Sequence, residues 1–267
     1  MKNKELLEEY EKYLKVNGRA ERTIKNHLCR VNYFLEEIEV NNITPKLIQD
    51  YFLKLQDKLQ PSSVNQHRNT LKVFLRFLQK DIELPDKLKT VNKLIDYIDP
   101  DYLKNEVIPM CECIFTNPTK TIAILYLLFY TGIRVGEINY IKRENIDLET
   151  RKIKIYGEKT KEERIVKFNE TTESAFKTYF MTEPEEKNAF NIKSGGVKQI
   201  CKKLDKNLDK HIYPHLFRHS FAIMLAKKGI GLETLRKLLG HSDIKTTAIY
   251  LRYKDDDISE MYDKYID

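Results

Sequence analysis

The sequence predicts a mainly α-helical chain with one small β-hairpin, divided into two domains of which the second is α+β. Three observations predict this. Apolar residues recur at helical spacing from Asn3 to about Gln79 and again beyond Lys104. A charged stretch broken by Pro85 and Pro100 separates the two regions. The one clear strand signal is the alternation Ile153-Lys154-Ile155-Tyr156, answered after the turn Gly157-Glu158-Lys159-Thr160-Lys161 by Arg164-Ile165-Val166-Lys167-Phe168.

Residues 1–80 read as a helical domain of four helices, about 3–16, 21–38, 45–58 and 62–80. Leu6, Leu7, Tyr10, Tyr13 and Leu14 line one face of the first, and Ile24, Leu28, Val31, Phe34 and Leu35 one face of the second. Asn17-Gly18, Asn41-Asn42 and Pro61-Ser62-Ser63 punctuate the series, with Thr44 and Pro61 as helix starts. Residues 81–105 lack a long apolar face and read as a linker. Residues 106–253 form the second domain, whose helical pattern sets in near 104–115 and continues at 119–130. A short helix from Glu137 to Ile141 follows, then the hairpin, then helices near 171–180, 194–209, 215–228, 232–239 and 246–253. Residues 254–267 are a tail whose apolar positions Ile258, Met261, Tyr262 and Tyr265 share one face of an amphipathic helix.

Composition excludes several classes. With 41% hydrophobic residues, 9 glycines and 8 prolines in 267 residues, the chain is neither disordered nor collagen-like. The longest apolar run, Thr121–Ile133, is about 13 residues. A membrane span needs roughly 20, so the run reads as a core helix. The N-terminus MKNKELLEEY has no apolar signal region, and a cytoplasmic, nucleoid-associated location is expected. Cys29, Cys111, Cys113 and Cys201 lack metal-ligand spacing and read as reduced structural thiols. No G-x-x-x-x-G-K-[ST] loop is present, and the acids are dispersed or gathered in the tail, so neither ATP nor a metal pair is implied. Net charge is +7, but the tail holds 6 acids and 2 lysines. The body, 1–253, therefore carries 45 basic against 34 acidic residues, a net +11 that points to a polyanion or to a lysine-rich solvated surface.

The chemistry-bearing residues form an ordered set. Arg134 stands in TGIRVGEI with Glu137 three residues on, and Lys159 sits on the hairpin tip. His215 and Arg218 stand at i and i+3 after Pro214, on one face of a helix start that favours anions. His241 follows Leu239-Gly240, and Tyr250 lies nine residues further on. Each alone also fits an ordinary ion pair, cap or packing residue. Their order is what carries information.

On the segments TGIRVGEI, HLFRHSFA and LGHSDIKTTAIY, the chain resembles the tyrosine recombinase (phage integrase) family over nearly its whole length, with a layout similar to the short Xer-type members. The resemblance implies a two-domain clamp, a helical core-binding domain followed by a catalytic domain. It implies that Tyr250 attacks a DNA phosphodiester to leave a 3′-phosphotyrosine bond and a free 5′-hydroxyl. Arg134 and Arg218 would grip the non-bridging oxygens bidentately, as lysines cannot. His215 would help to take up the tyrosine proton, His241 would hydrogen-bond the phosphate, and Glu137 would orient Arg134. The leaving oxygen would take its proton from the hairpin lysine. The tip departs from the common Gly-Lys-Gly-x-Lys form, which leaves both Lys159 and Lys161 as general acids, with Lys159 preferred by counting back from Arg164. Arg252 stands where the family often has a histidine, and Tyr253, one turn from Tyr250, is a rival nucleophile.

Two polar-basic helix stripes complete the expectation: Arg22, Lys25, Asn26 and Arg30 on one helix, and Asn65, Arg68, Asn69, Lys72 and Arg76 on another. They read as contacts to duplex DNA at a specific recombination site or as solvated faces, and the downstream set favours DNA. The tail would dock on a neighbouring protomer in a synaptic homo-tetramer, or back onto its own domain. No cofactor or membrane is expected. A free monomer and an accessory protein are both compatible with the reading.

Overall fold

The computed structural model describes residues 3–90, 94–157, 162–182, 188–241 and 243–253. The chain divides between Lys93 and Leu94 into two compact units. Helices predominate, and the described strands form one three-stranded sheet.

In the first unit, α1 (Asn3–Val16), α2 (Glu21–Glu37), α3 (Pro45–Lys58) and α4 (Pro61–Phe77) follow the apolar periodicity closely. Pro45 and Pro61 occupy first-turn positions where no N–H is missed, and Thr44 Oγ1 accepts from Leu47 N–H at 3.3 Å as the cap of α3. Tyr10, Leu14, Phe34, Ile48, Leu55 and Phe74 fill the core. Two of the tyrosines that pack there pair their hydroxyls with a histidine of the next helix: Tyr10 with His27 Nδ1 at 2.9 Å, and Tyr51 with His67 Nδ1 at 3.0 Å.

The stretch 81–105 is not one free tether. Ile82, Leu84 and Leu88 pack against the core of the first unit. Asn65 on α4 holds the Leu88 backbone at both ends, its Nδ2 donating to Leu88 O and its Oδ1 accepting Leu88 N–H, each at 2.9 Å. Arg68 Nε donates to Pro85 O. Ile98 and Leu103 belong instead to the core of the second unit, with Ile98 N–H donating to Ser220 Oγ at 2.9 Å. Apolar residues spaced irregularly among charges leave no periodic signal, which is why the sequence suggested a linker.

In the second unit, α5 (Pro100–Tyr102) runs through a π turn, Leu103–Val107, into α6 (Ile108–Ile114). Pro109 has no N–H for the carbonyl four residues back, and the wider turn accommodates that. Next comes α7 (Pro118–Thr131), capped by Asn117 Oδ1 on Lys120 N–H at 3.0 Å. It is buried over most of its surface, consistent with a core helix, and no described helix is long and apolar enough to cross a membrane. A 3₁₀ turn, Glu137–Tyr140, leads to β1 (Ile146–Asp147), β2 (Lys152–Tyr156) and β3 (Glu163–Lys167), antiparallel in the order β1-β2-β3. The expected hairpin is β2–β3; β1 is too short to show in the sequence. Ile153 pairs with Val166 and Ile155 with Arg164, so the sheet's inner face carries two isoleucines, a valine and an arginine.

The remaining helices are α8 (Glu170–Thr182), α9 (Ser194–Asp205), α10 (Pro214–Lys227), α11 (Leu232–Leu239) and α12 (Lys245–Ala248), the last continued by a 3₁₀ turn, Ile249–Tyr253. Most of α10 is itself buried, including Leu216, Phe217, Arg218, Ser220, Phe221, Ala222 and Ile223. A separate cluster joins Phe221, Ala222, Ile223 and Ala226 to Leu235, Leu239, Tyr250 and Tyr253. This cluster brings the end of the described chain against α10.

Candidate active site

The pocket is built on two glycine turns. At the C-terminus of α7, Gly132 adopts φ +61°, and at the C-terminus of α11, Gly240 adopts φ +62°. Both are left-handed stops that only glycine takes without strain. Gly132 has no room for a side chain, since a Cβ there would lie 2.3 Å from Phe221 Cδ1, and at Gly240 the fit is tight, a Cβ lying 3.2 Å from Arg164 Nε. Helix ends leave carbonyls without intrahelical donors, and these are the negative ends of the helix dipoles.

Two arginines take up those carbonyls. Arg218 on α10 donates through Nη1 to Gly132 O and through Nη2 to Leu239 O, the latter at 2.7 Å. Arg134, two residues after Gly132, donates through Nη2 to Gly240 O at 2.7 Å. Each guanidinium is thus anchored across residues far apart in sequence. Arg218 is 4% exposed. Burial, and then the like charge of Arg134, pull its pKa down to about 9, which still leaves it charged at pH 7.

A third arginine, absent from the sequence-derived set, completes the group. Arg164 on β3 forks onto Glu137, Nη1 to Oε1 at 2.7 Å and Nη2 to Oε2 at 2.8 Å. Glu137 Oε2 also accepts the backbone N–H of Arg134 at 2.8 Å, while its contact to Arg134 Nη1 is long, 3.5 Å. Burial raises the carboxyl pKa, but the Arg164 fork and Arg134 together hold it below the usual carboxylate value. Glu137 therefore positions Arg134 chiefly through its backbone, and its closest partner is Arg164.

The histidines and the tyrosine line the same region. His241 directly follows Gly240, with Nδ1 2.8 Å from Thr247 Oγ1. Burial, then Arg218 and Arg134, push its pKa down to about 4. Tyr250 is 2% exposed, and its hydroxyl lies 2.8 Å from Nδ1 of His219, a residue the sequence reading passed over. The His215 ring centroid is 6.3 Å from that of His219. Burial raises the Tyr250 pKa while the Arg218 charge opposes the rise. The rival Tyr253 is engaged elsewhere: its hydroxyl donates to Ile95 O at 2.8 Å and accepts Ile95 N–H, and its ring meets Tyr97 at 5.9 Å.

The hairpin lysines Lys159 and Lys161 and the tail 254–267 lie outside the described residues. Gly157 N–H donates to Glu162 O at 2.8 Å across the hairpin ends. In the first unit, Arg22, Lys25, Asn26, Asn69, Lys72 and Arg76 are exposed. Arg30 donates to Gln66 Oε1, and Asn65 and Arg68 hold the 85–88 backbone. Both belong to the stripe expected to face DNA; in the fold the Asn65 amide and Arg68 Nε bond to the unit's own backbone.

Among the described residues the pocket gathers three guanidiniums and one carboxylate, an excess of positive charge beside a tyrosine hydroxyl. Such a pocket suits a phosphodiester oxyanion, and together with the fold it defines the class of the tyrosine recombinases. The phage integrase family profile matches residues 98–256, and the profile of the phage integrase N-terminal SAM-like domain matches residues 6–83. Tyrosine recombinase XerA of Saccharolobus solfataricus is 35% identical over 144 residues, 54% of this chain and 50% of that protein. Tyrosine recombinase XerA of Pyrococcus furiosus is 26% identical over 259 residues, covering 93% of this chain and 89% of that protein. The fold matches that of the Tn1549 transposon integrase, solved in complex with transposon right end DNA, with TM-score 0.72 and 17% identity over 98% of this chain and 99% of that one. The chain belongs to the phage integrase family of tyrosine recombinases, enzymes of site-specific DNA cleavage and rejoining.

Proposed function

We propose that Tyr250 is the nucleophile of an Xer-like recombinase that resolves replicon dimers or integrates and excises a mobile element, cutting duplex DNA at a specific site through a 3′-phosphotyrosine bond. The charge of the pocket carries this reading. Arg134 and Arg218 are fixed by backbone carbonyls before any DNA arrives, so their remaining donors face an incoming phosphate without reorganisation. Tyr250 shares a buried cluster with α10, the helix that carries His215 and Arg218.

In this scheme the Tyr250 oxygen attacks phosphorus in line, and the two guanidiniums and His241 hold the non-bridging oxygens. Lys159, or Lys161 beside it, protonates the departing 5′-oxygen. The phosphotyrosine conserves the energy of the broken bond, so rejoining to a new 5′-hydroxyl needs neither ATP nor a metal ion. Arg22, Lys25, Asn26, Lys72 and Arg76, with Asn69, supply phosphate and base contacts from the first unit, and Arg30 supports them. The tail joins protomers into a homo-tetramer on DNA, with or without an accessory protein, and the enzyme works on the nucleoid in the cytoplasm.

The test exposes host genomic DNA to the wild-type protein and to Tyr250→Phe, denatures with detergent, recovers protein-linked DNA and sequences the ends. Linkage at a discrete site by the wild type alone is the expected result. Linkage at many unrelated sites points instead to a relaxing enzyme of the topoisomerase kind. Absence of linkage where binding is demonstrated points to a non-catalytic DNA-binding factor.

A further inference from the structure

The partly buried contact between His219 and Tyr250 is not among the roles assigned above. His219 stands on α10 immediately after Arg218, and its Nδ1 is 2.8 Å from the Tyr250 hydroxyl, with ring centroids 5.8 Å apart. When the phenol donates, the imidazole carries its own proton on Nε2 and offers the Nδ1 lone pair. Burial first, and then the fields of His215 and Arg218, push its pKa down to about 4, so at pH 7 the ring is neutral and free to accept. Burial holds Tyr250 in its protonated form. A buried phenol cannot attack as a strong nucleophile unless its proton has somewhere to go, and His219 Nδ1 is within hydrogen-bond distance.

We propose that His219 is a catalytic residue of strand cleavage, the acceptor that takes the Tyr250 proton as the phenol oxygen attacks phosphorus. The inference rests on the reading of Tyr250 as nucleophile. As the Tyr250 O–H bond breaks, its proton passes to His219 Nδ1. The O–P bond forms, the P–O5′ bond breaks, and the leaving oxygen takes a proton from the general acid. In rejoining, the imidazolium returns its proton to the tyrosine oxygen. The charged and titratable groups that face His219 are His215 on the same helix, Arg218 beside it, His241 beyond α11 and Tyr250 itself. An entering phosphate adds negative charge among them, which favours the imidazolium as it forms.

The test is single-turnover formation of the covalent complex on a duplex bearing the target site, with Tyr250→Phe as the zero and His219→Ala and His219→Asn as variants. Asparagine keeps an acceptor near the Nδ1 position but cannot take a proton. Both variants are expected to bind the duplex as the wild type does and to form the adduct on the order of 10²-fold more slowly. Added imidazole should recover rate in the alanine variant, which leaves space for it, and not in the asparagine variant. An asparagine variant that cleaves within threefold of the wild type overturns the proposal, as does an alanine variant that imidazole fails to rescue. Should the alanine variant lose DNA binding, the asparagine variant alone decides. A wild-type protein that forms no adduct overturns the assignment of Tyr250 instead, so the two failures are told apart.

Discussion

Arg164 on β3 and Glu137 at the start of the 3₁₀ turn form a two-point ion pair, at 2.7 and 2.8 Å, with the carboxylate 2% exposed. Because the same carboxylate accepts the Arg134 backbone N–H, one buried group ties the hairpin to the turn that carries Arg134. A buried pair of this kind contributes little net stability when whole, but leaves a costly charge when one partner is removed.

Glu137→Gln is therefore expected to destabilise the second unit by about 3 kcal/mol, since Arg164 loses its counter-charge in a buried setting. Urea unfolding of the full chain measures this. Arg164→Lys keeps the charge but cannot fork, and it should slow covalent adduct formation on the order of tenfold with DNA affinity little changed.

Gly132→Ala tests the α7 turn. The residue has φ +61° and a Cβ would meet Phe221 at 2.3 Å, so backbone strain and overpacking add. A loss of roughly 2–4 kcal/mol is expected, with slower cleavage because Gly132 O anchors Arg218. A variant with wild-type stability would show that the turn relaxes freely.

Acid should weaken the fold through two histidines. His219 and His241 both have folded-state pKa values near 4, below the ordinary value of about 6.5. Between those limits the unfolded chain binds more protons, so stability is retained above about pH 6.5 and falls as pH drops towards 4. Unfolding at pH 7 and pH 5 gives the slope, and His241→Asn should flatten it.

Two residues of the same α4 stripe should separate in their effects. Asn65→Ala removes both hydrogen bonds to Leu88 and is expected to cost about 1–3 kcal/mol of stability in the first unit. Lys72→Ala should leave stability within about 0.5 kcal/mol, weaken DNA binding across sequences, and reduce the salt slope by about one. Melting curves and binding titrations at two salt concentrations distinguish them.

The sequence by itself determined the helices of the first unit, because three-to-four-residue periodicity with Thr44, Pro45 and Pro61 as starts is local information. It also determined the β2–β3 hairpin and the order Arg134, His215, Arg218, His241 and Tyr250. What it could not supply is which donors meet which acceptors across 86 or 106 residues, as in Arg218 to Gly132 O and Arg134 to Gly240 O. Arg164 left a trace, since alternation places it on the face of Val166 and Phe168, where a charge requires a buried partner. His219 left none: a histidine after an arginine on a helix is unremarkable until the chain folds Tyr250 against it. The segment 82–88 left no trace for the same reason, its anchors being an asparagine and an arginine on α4 rather than any pattern of its own. Local periodicity is written in neighbouring residues, whereas a buried charge or hydroxyl finds its partner only through packing, and that is why the pocket belongs to the tertiary structure.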